Sequence, residues 1–221
     1  MTHRARRRIA IVGAGGFARE VAWLLREHNR VEDTWDFAGY LVSDLAKLGP
    51  HDSRDEVLGD LSYLDTPGRV DALALGIGTA AARVKVGAEL EARFPTLEFP
   101  ALQHPSVLGD RGSCRFGQGS IVCAGVIATV NVTLDPWVMV NLACTLGHEA
   151  HLGRGCVLNP TVNLSGGVDL GEGVLVGTGA QVLQYVKVGK GAIIGAGALV
   201  NRDVPEGVTV VGIPARPLQK G

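Results

Sequence analysis

Two kinds of hydrophobic spacing divide this chain. Over the first hundred residues, short apolar runs alternate with stretches of helical period. Residues 8–12 (Arg-Ile-Ala-Ile-Val) read as a strand, and they enter Gly13-Ala-Gly15-Gly16-Phe17-Ala18. Val21, Leu24 and Leu25 then share one helical face. Residues 37–42 and 73–77 predict two more strands, and Ala80–Arg93 predicts a second helix that stops before Pro95. This order of elements predicts a small parallel α/β domain, a truncated nucleotide-binding unit.

After Pro105 the spacing changes to six. Starting at Phe116 and ending at Val200, every sixth residue is apolar, through Val122, Leu146, Leu158, Leu170 and Ile194 among others. Four residues after each comes a small or β-branched one, from Ser120 through Cys144 and Cys156 to Val204. Neither a helix nor an isolated strand repeats every six residues. A triangular solenoid does, with a short strand on each side and a turn at each corner. About three hexads per coil predict roughly five coils, with the larger residue facing the interior beside the smaller one. Glycines follow the inward position at Gly117, Gly147, Gly153, Gly171, Gly177, Gly189 and Gly195, where a corner is expected to use their freedom in φ.

Composition agrees with so narrow a core: glycine numbers 31 of 221 residues, and aromatics are only 5%. The formal net charge of -1 disfavours a non-specific nucleic-acid binder. No apolar run approaches the ~20 residues of a membrane span, and the apolar stretch after the basic start is too short for a signal peptide. A cytoplasmic protein is expected. The four cysteines show no metal-ligand spacing, and Cys144 and Cys156 fall in interior slots.

These hexads resemble those of the left-handed β-helix acyltransferases. With the Gly-rich domain in front and Val211-Gly-Ile-Pro-Ala-Arg216 behind, the chain resembles the bacterial sugar acetyltransferases. That group includes sialic acid O-acetyltransferase-like proteins and nucleotide-aminosugar N-acetyltransferases. The likeness is strongest in Val140-Asn-Leu-Ala-Cys-Thr-Leu-Gly-His-Glu149 and Asn159-Pro-Thr-Val-Asn-Leu-Ser-Gly-Gly167. It implies a Rossmann-like α/β domain over 1–103, a left-handed parallel β-helix over 104–204 and a tail over 205–221. It also implies a homotrimer that uses acetyl-CoA as co-substrate and a sugar or nucleotide sugar as acceptor, without metal, nucleic acid or membrane.

His148 and Glu149 follow the inward Leu146 by two and three places, so both side chains are expected to project outwards. Histidine suits a reaction that removes a proton near neutrality, and a neighbouring carboxylate can steady the imidazolium. The resemblance makes His148 the general base and Glu149 its assistant. It gives the Gly166 N–H to the thioester oxygen and Gly177, Thr178 and Ala196 to the pantetheine arm. Asn141 would line the reaction cleft, and Arg216 could meet a coenzyme A phosphate. Gly13, Gly15 and Gly16 open a helix after a strand, a context suited to a pyrophosphate, with Asp44 after the second strand.

Two positions depart from the family pattern. Phe17 replaces a common polar residue, and Val157 stands where some relatives carry a second histidine. His151, three residues after His148, reads as a solvated or interface residue. The resemblance favours N-acetylation of a nucleotide-linked aminosugar. It leaves open O-acetylation of a sialic acid-like hydroxyl, a non-catalytic sugar-nucleotide-binding trimer, and a metalloenzyme built on His104, His148 and His151.

Overall fold

The computed structural model describes residues 5–218, so the outermost ends of the expected first domain and tail lie outside the described residues. The chain begins with a parallel four-stranded sheet of order β3-β2-β1-β4: β1 (Arg7–Val12), β2 (Trp35–Leu41), β3 (Val57–Gly59) and β4 (Ala72–Leu75). Helices α1 (Gly16–Asn29) and α2 (Ala80–Arg93) pack against it. The chain reverses its build-up beside β1, which opens a crevice at the carboxyl ends of β1 and β4. Strand β3 was not predicted. Its register on β2 shifts between Tyr40 and Leu41, and only short 3-10 turns join the two strands, so neither apolar period announces it.

Two tight contacts explain the glycine motif. Gly13 turns the chain at φ +105, a conformation that an L side chain rarely adopts. Ala18 is fully buried against Gly76, where a Cβ on the glycine would come within 2.6 Å of the alanine Cβ. Small residues on both sides let α1 approach the end of β4.

From Leu102 the chain winds into three parallel walls. The first contains the strands Leu102–Gln103, Ile121–Val122, Met139–Val140, Val157–Leu158, Leu175–Val176, Ile193–Ile194 and Thr209–Val211, closed by the antiparallel Arg216–Pro217. The second runs from Leu108–Gly109 through Thr145–Leu146 to Leu199–Val200, and the third from Arg115–Phe116 through His151–Leu152 to Lys187–Val188. Strands 18 residues apart pair in register, as in Met139 with Val157, Thr145 with Asn163 and His151 with Asp169. Both sequence-derived interior columns are buried and form one continuous core; only Phe116, at the open end, is half-exposed.

The frame slips twice. Val204 pairs with Val188 and Val210 with Ile194, both 16 residues apart, so Val204 occupies a strand slot and not the small-residue slot expected for it. At the other end, one extra residue between Gly109 and Phe116 hides two earlier rungs from the hexad count.

The expected reason for the glycines also needs correction. Gly117, Gly147, Gly153, Gly171, Gly177, Gly189 and Gly195 do not have positive φ. They are required by proximity: a Cβ on Gly147 would lie 2.6 Å from the Gly166 nitrogen, and one on Gly171 2.7 Å from that of Lys190. The left-handed conformation falls two residues later, at Gly119, Gly125, Gly155, Gly167, Gly173, Gly179, Gly191 and Gly197.

The α/β unit covers the outer face of the first wall. Met139 and Val157 are buried there with Ala80, and Phe17 packs on the same cluster. Trp137 projects from the third–first corner into the α/β unit, edge-on to Phe99, and its indole N–H donates to Glu91 at 2.8 Å. Arg154 and Gln118 donate to the same carboxylate, at 2.6 Å each.

Candidate active site

His148 stands at the second–third corner, where the chain leaves Thr145–Leu146 and enters His151–Leu152. As expected from the hexad frame, its side chain points outwards, with 53% exposure. One coil on, the ring fits against Gly166, in the space that a Cβ at that position would take, with Nε2 as the nearest atom. No backbone carbonyl among the described residues accepts from the Gly166 N–H. A free donor therefore sits beside the ring nitrogen that would take a proton.

Glu149 accompanies His148 at the corner, with Oε2 3.8 Å from Nδ1. That exceeds hydrogen-bonding distance, so no hydrogen bond joins the carboxylate to the ring in this conformation. Glu149 also adopts φ 63, a conformation that costs an ordinary residue about 1–2 kcal/mol.

Asn141, Gly177, Thr178 and Ala196 gather elsewhere, at the first–second corner. Asn141 is nearly buried, and its Oδ1 accepts from the Leu142 N–H at 2.8 Å. A Cβ on Gly177 would overlap the Ala196 backbone, and the Gly197 N–H donates to Thr178 at 2.8 Å. The second wall separates this group from His148 within one protomer. Arg216 lies at the far end of the first wall, exposed, with Nη1 donating to the Ala215 carbonyl at 2.7 Å.

The third group lines a cavity of about 430 Å³ at the carboxyl ends of β1, β2 and β4. Gly13, Gly15 and Asp44 face it, together with Ile77, Val86 and Glu89. Asp44 also accepts from the Ala46 N–H at 2.9 Å and lies 3.7 Å from Lys47. Gly16 is outside the lining, as the first residue of α1. Phe17 is half-buried and packs on the solenoid cluster, and Val157 is fully buried in it.

His151 is not merely solvated. Nδ1 is 2.8 Å from Asp169 and Nε2 3.3 Å from Asp135, so both ring nitrogens face carboxylates. Burial is the largest single influence and pulls its pKa down. The hydrogen bond and charge of Asp169, with the charge of Asp135, outweigh it and hold the pKa above the ordinary value. A raised folded pKa stabilises most fully below the unfolded pKa of about 6.5, and the benefit is lost as pH rises through the folded value. The stability gap between the parent and His151→Gln, from urea titrations, should be widest near pH 6 and close towards pH 9. A gap of the same size at every pH would refute the pairing.

Among the described residues, no group of three or more His, Cys, Asp and Glu is placed to hold a metal ion. His104 pairs through Nδ1 with Ser106 and stacks on Trp23, away from the His148 corner. The cysteines are all free. Burial pushes the Cys123 and Cys156 thiols up to about 12 and Cys144 to about 11, values that keep them protonated and poorly nucleophilic. No helix among the described residues is long and apolar enough to cross a membrane.

Sequence reasoning missed one exposed residue at this corner. Tyr185 has φ 61 and 65% exposure, and its ring lies against Gly167. The available signal was departure from glycine three places after the inward residue, seen at Asn131, Trp137, Ala143, Glu149, Thr161 and Tyr185.

Residues 167–202 match the family model for the bacterial transferase hexapeptide (six repeats). No curated protein matches the chain in sequence. Among solved structures, it is similar to PerB from Caulobacter crescentus, in complex with CoA and GDP-perosamine. The two are 32% identical over 97% of this chain and 99% of that one, with a TM-score of 0.85. The acetyltransferase domain of PglB from Neisseria gonorrhoeae is 30% identical over 96% of this chain and 100% of that one, with a TM-score of 0.84. WeeI from Acinetobacter baumannii is 27% identical over 95% and 99%, with a TM-score of 0.80.

Proposed function

Because the chain belongs to the bacterial sugar acetyltransferases of the left-handed β-helix, hexapeptide-repeat family, we propose that it moves acetyl from acetyl-CoA to the amine of a nucleotide-linked aminosugar. The observation that carries this reading is full-length similarity to PerB, whose structure holds CoA and GDP-perosamine. The exposed imidazole set against the open backbone of Gly166 supports it.

The sugar amine attacks the thioester carbonyl carbon while His148 takes the amine proton. The Gly166 N–H donates to the oxygen as it becomes anionic, and the C–S bond then breaks to release coenzyme A thiolate. No acyl-enzyme is needed, and the buried thiols are poor nucleophiles. The N-terminal unit serves as a truncated Rossmann-like domain, with the nucleotide in the cavity lined by Gly13, Gly15 and Asp44. Coenzyme A runs along the later coils past Gly177, Thr178 and Ala196 towards Arg216.

This reading makes the working unit a homotrimer. His148 lies at one edge of the second wall, and Asn141 and Gly177 lie at the other. Turning three copies so that the second walls face a common axis sets each edge against the opposite edge of a neighbour. The outward residues of that wall suit such packing. Leu108, Ile127, Thr145, Asn163, Gln181 and Leu199 carry no charge, whereas the third wall shows Arg115, His151, Asp169 and Lys187. Acceptor and donor are then held together between protomers, which supplies much of the rate gain.

The test is thiol release from acetyl-CoA with a panel of nucleotide sugars, each as the amine and as its hydroxyl analogue. Turnover confined to the amines is expected. Turnover of hydroxyl analogues alone overturns the N-acetyl assignment, and no thiol release with any sugar overturns acyl transfer.

A further inference from the structure

Two rings close on one dipeptide at the second–third corner. The His148 imidazole occupies the space where Gly166 would carry a Cβ, and the Tyr185 ring does the same at Gly167. They come from coils on opposite sides of that dipeptide: the Gly167 N–H donates to the His148 carbonyl at 2.8 Å, and the Tyr185 N–H to that of Gly166 at 2.9 Å. Coils spaced about 4.8 Å apart set the two backbones roughly 10 Å apart, with both rings leaning over the coil between. The result is a slot with an imidazole on one side, an aromatic ring on the other and a peptide floor without side chains.

The self-packing of the protomer does not account for Tyr185. Its side chain is outside the solenoid core and 65% exposed, yet its backbone holds φ 61, a conformation that bulky residues avoid. A strained aromatic kept exposed beside a reactive histidine points to a ligand contact. The Tyr185 side of the slot is apolar: Leu183, on the same coil, is also exposed at this corner. A short acyl thioester, with its alkyl group and polarizable sulfur, fits an aromatic wall better than a charged phosphate or a hydroxylated sugar would.

We propose that the Tyr185 ring is the wall of the acyl-donor pocket opposite His148, contacting the thioester and limiting the size of the acyl group admitted. This rests on the acyl-transfer reading above. The ring is what matters, so Tyr185→Phe should keep the acetyl-CoA KM within about twofold of the parent. Tyr185→Gly removes the wall and should raise that KM about tenfold, with the KM for the sugar little changed. The preference for acetyl-CoA over butyryl-CoA, as a ratio of kcat/KM, should fall by a similar factor. Glycine also suits the backbone at this position, so the unfolding midpoint should stay within a few degrees of the parent.

The experiment measures acetyl-CoA binding by calorimetry, steady-state kinetics with both donors, thermal unfolding and sedimentation for the parent and both variants. The proposal is overturned if Tyr185→Gly keeps the donor KM and acyl preference of the parent. It also falls if Tyr185→Phe loses as much as Tyr185→Gly, or if the glycine variant changes assembly state along with activity. If the parent neither binds acetyl-CoA nor releases thiol, acyl transfer itself fails and the pocket with it. If the parent does both and the glycine variant matches it, only the pocket fails.

Discussion

His148→Ala should lower turnover about 10²–10⁴-fold, the usual contribution of a positioned general base, while leaving the fold intact. Both halves of that expectation come from the same geometry. The side chain is half-exposed at a corner and contributes nothing to the interior columns of the solenoid, so its loss opens no core cavity. Yet its ring lies against the open backbone of Gly166, where the proposed mechanism needs both a base and an oxyanion donor. Gly166→Ala is the companion variant. Its methyl group would overlap the imidazole and push a flexible side chain aside, so it should remove activity without greatly changing the unfolding midpoint. Steady-state thiol release and thermal unfolding of both variants check this. A His148→Ala enzyme as fast as the parent would end the assignment.

The repeat was readable because its physics is one-dimensional. One inward slot in six must be apolar, and its small neighbour must fit a narrow prism, so Val122 through Val200 declare themselves without help from distant residues. His148 and Glu149 were readable as outward-facing for the same reason. What the hexads do not encode is which corners fall on which edge of a wall. Asn141 and His148 are seven residues apart in sequence but occupy different edges of the second wall, and only the three-walled winding shows it. The corner glycines invited a conformational reason when the controlling factor is the neighbouring coil. The strain lies instead at the positions of Glu149 and Tyr185. Nor could local pattern reveal Trp137, whose ring, besides Gly119 of its own unit, meets Gly87, Glu91 and Phe99 of the other.

Arg83 was the least readable residue, since an arginine one turn into an amphipathic helix is ordinarily solvated, and it carries the largest stability prediction. It is fully buried. Nε donates to the Trp137 carbonyl at 2.6 Å, Nη1 to Leu75 at 3.0 Å and Ile77 at 2.9 Å, and Nη2 to Gly119 at 3.3 Å. Two of these acceptors close β4 of the α/β unit, and two lie on corners of the solenoid, so one guanidinium ties both units together. Burial pushes its pKa down to about 9, which still leaves it protonated at neutral pH. The carbonyls are main chain and cannot be replaced by apolar groups, so removing the donor strands them in a dry interface. Each buried group left without a partner costs about 1–3 kcal/mol. With partial relief from entering water, Arg83→Leu should lose about 3–5 kcal/mol, a large share of the ~5–15 kcal/mol that holds a typical domain folded. Arg83→Lys keeps the charge but replaces the planar fork with a single ammonium, and should fall between. Urea unfolding followed by circular dichroism measures both. A leucine variant within about 1 kcal/mol of the parent would mean that the two units are held together by Trp137 and the apolar contact at Met139 and Val157 instead.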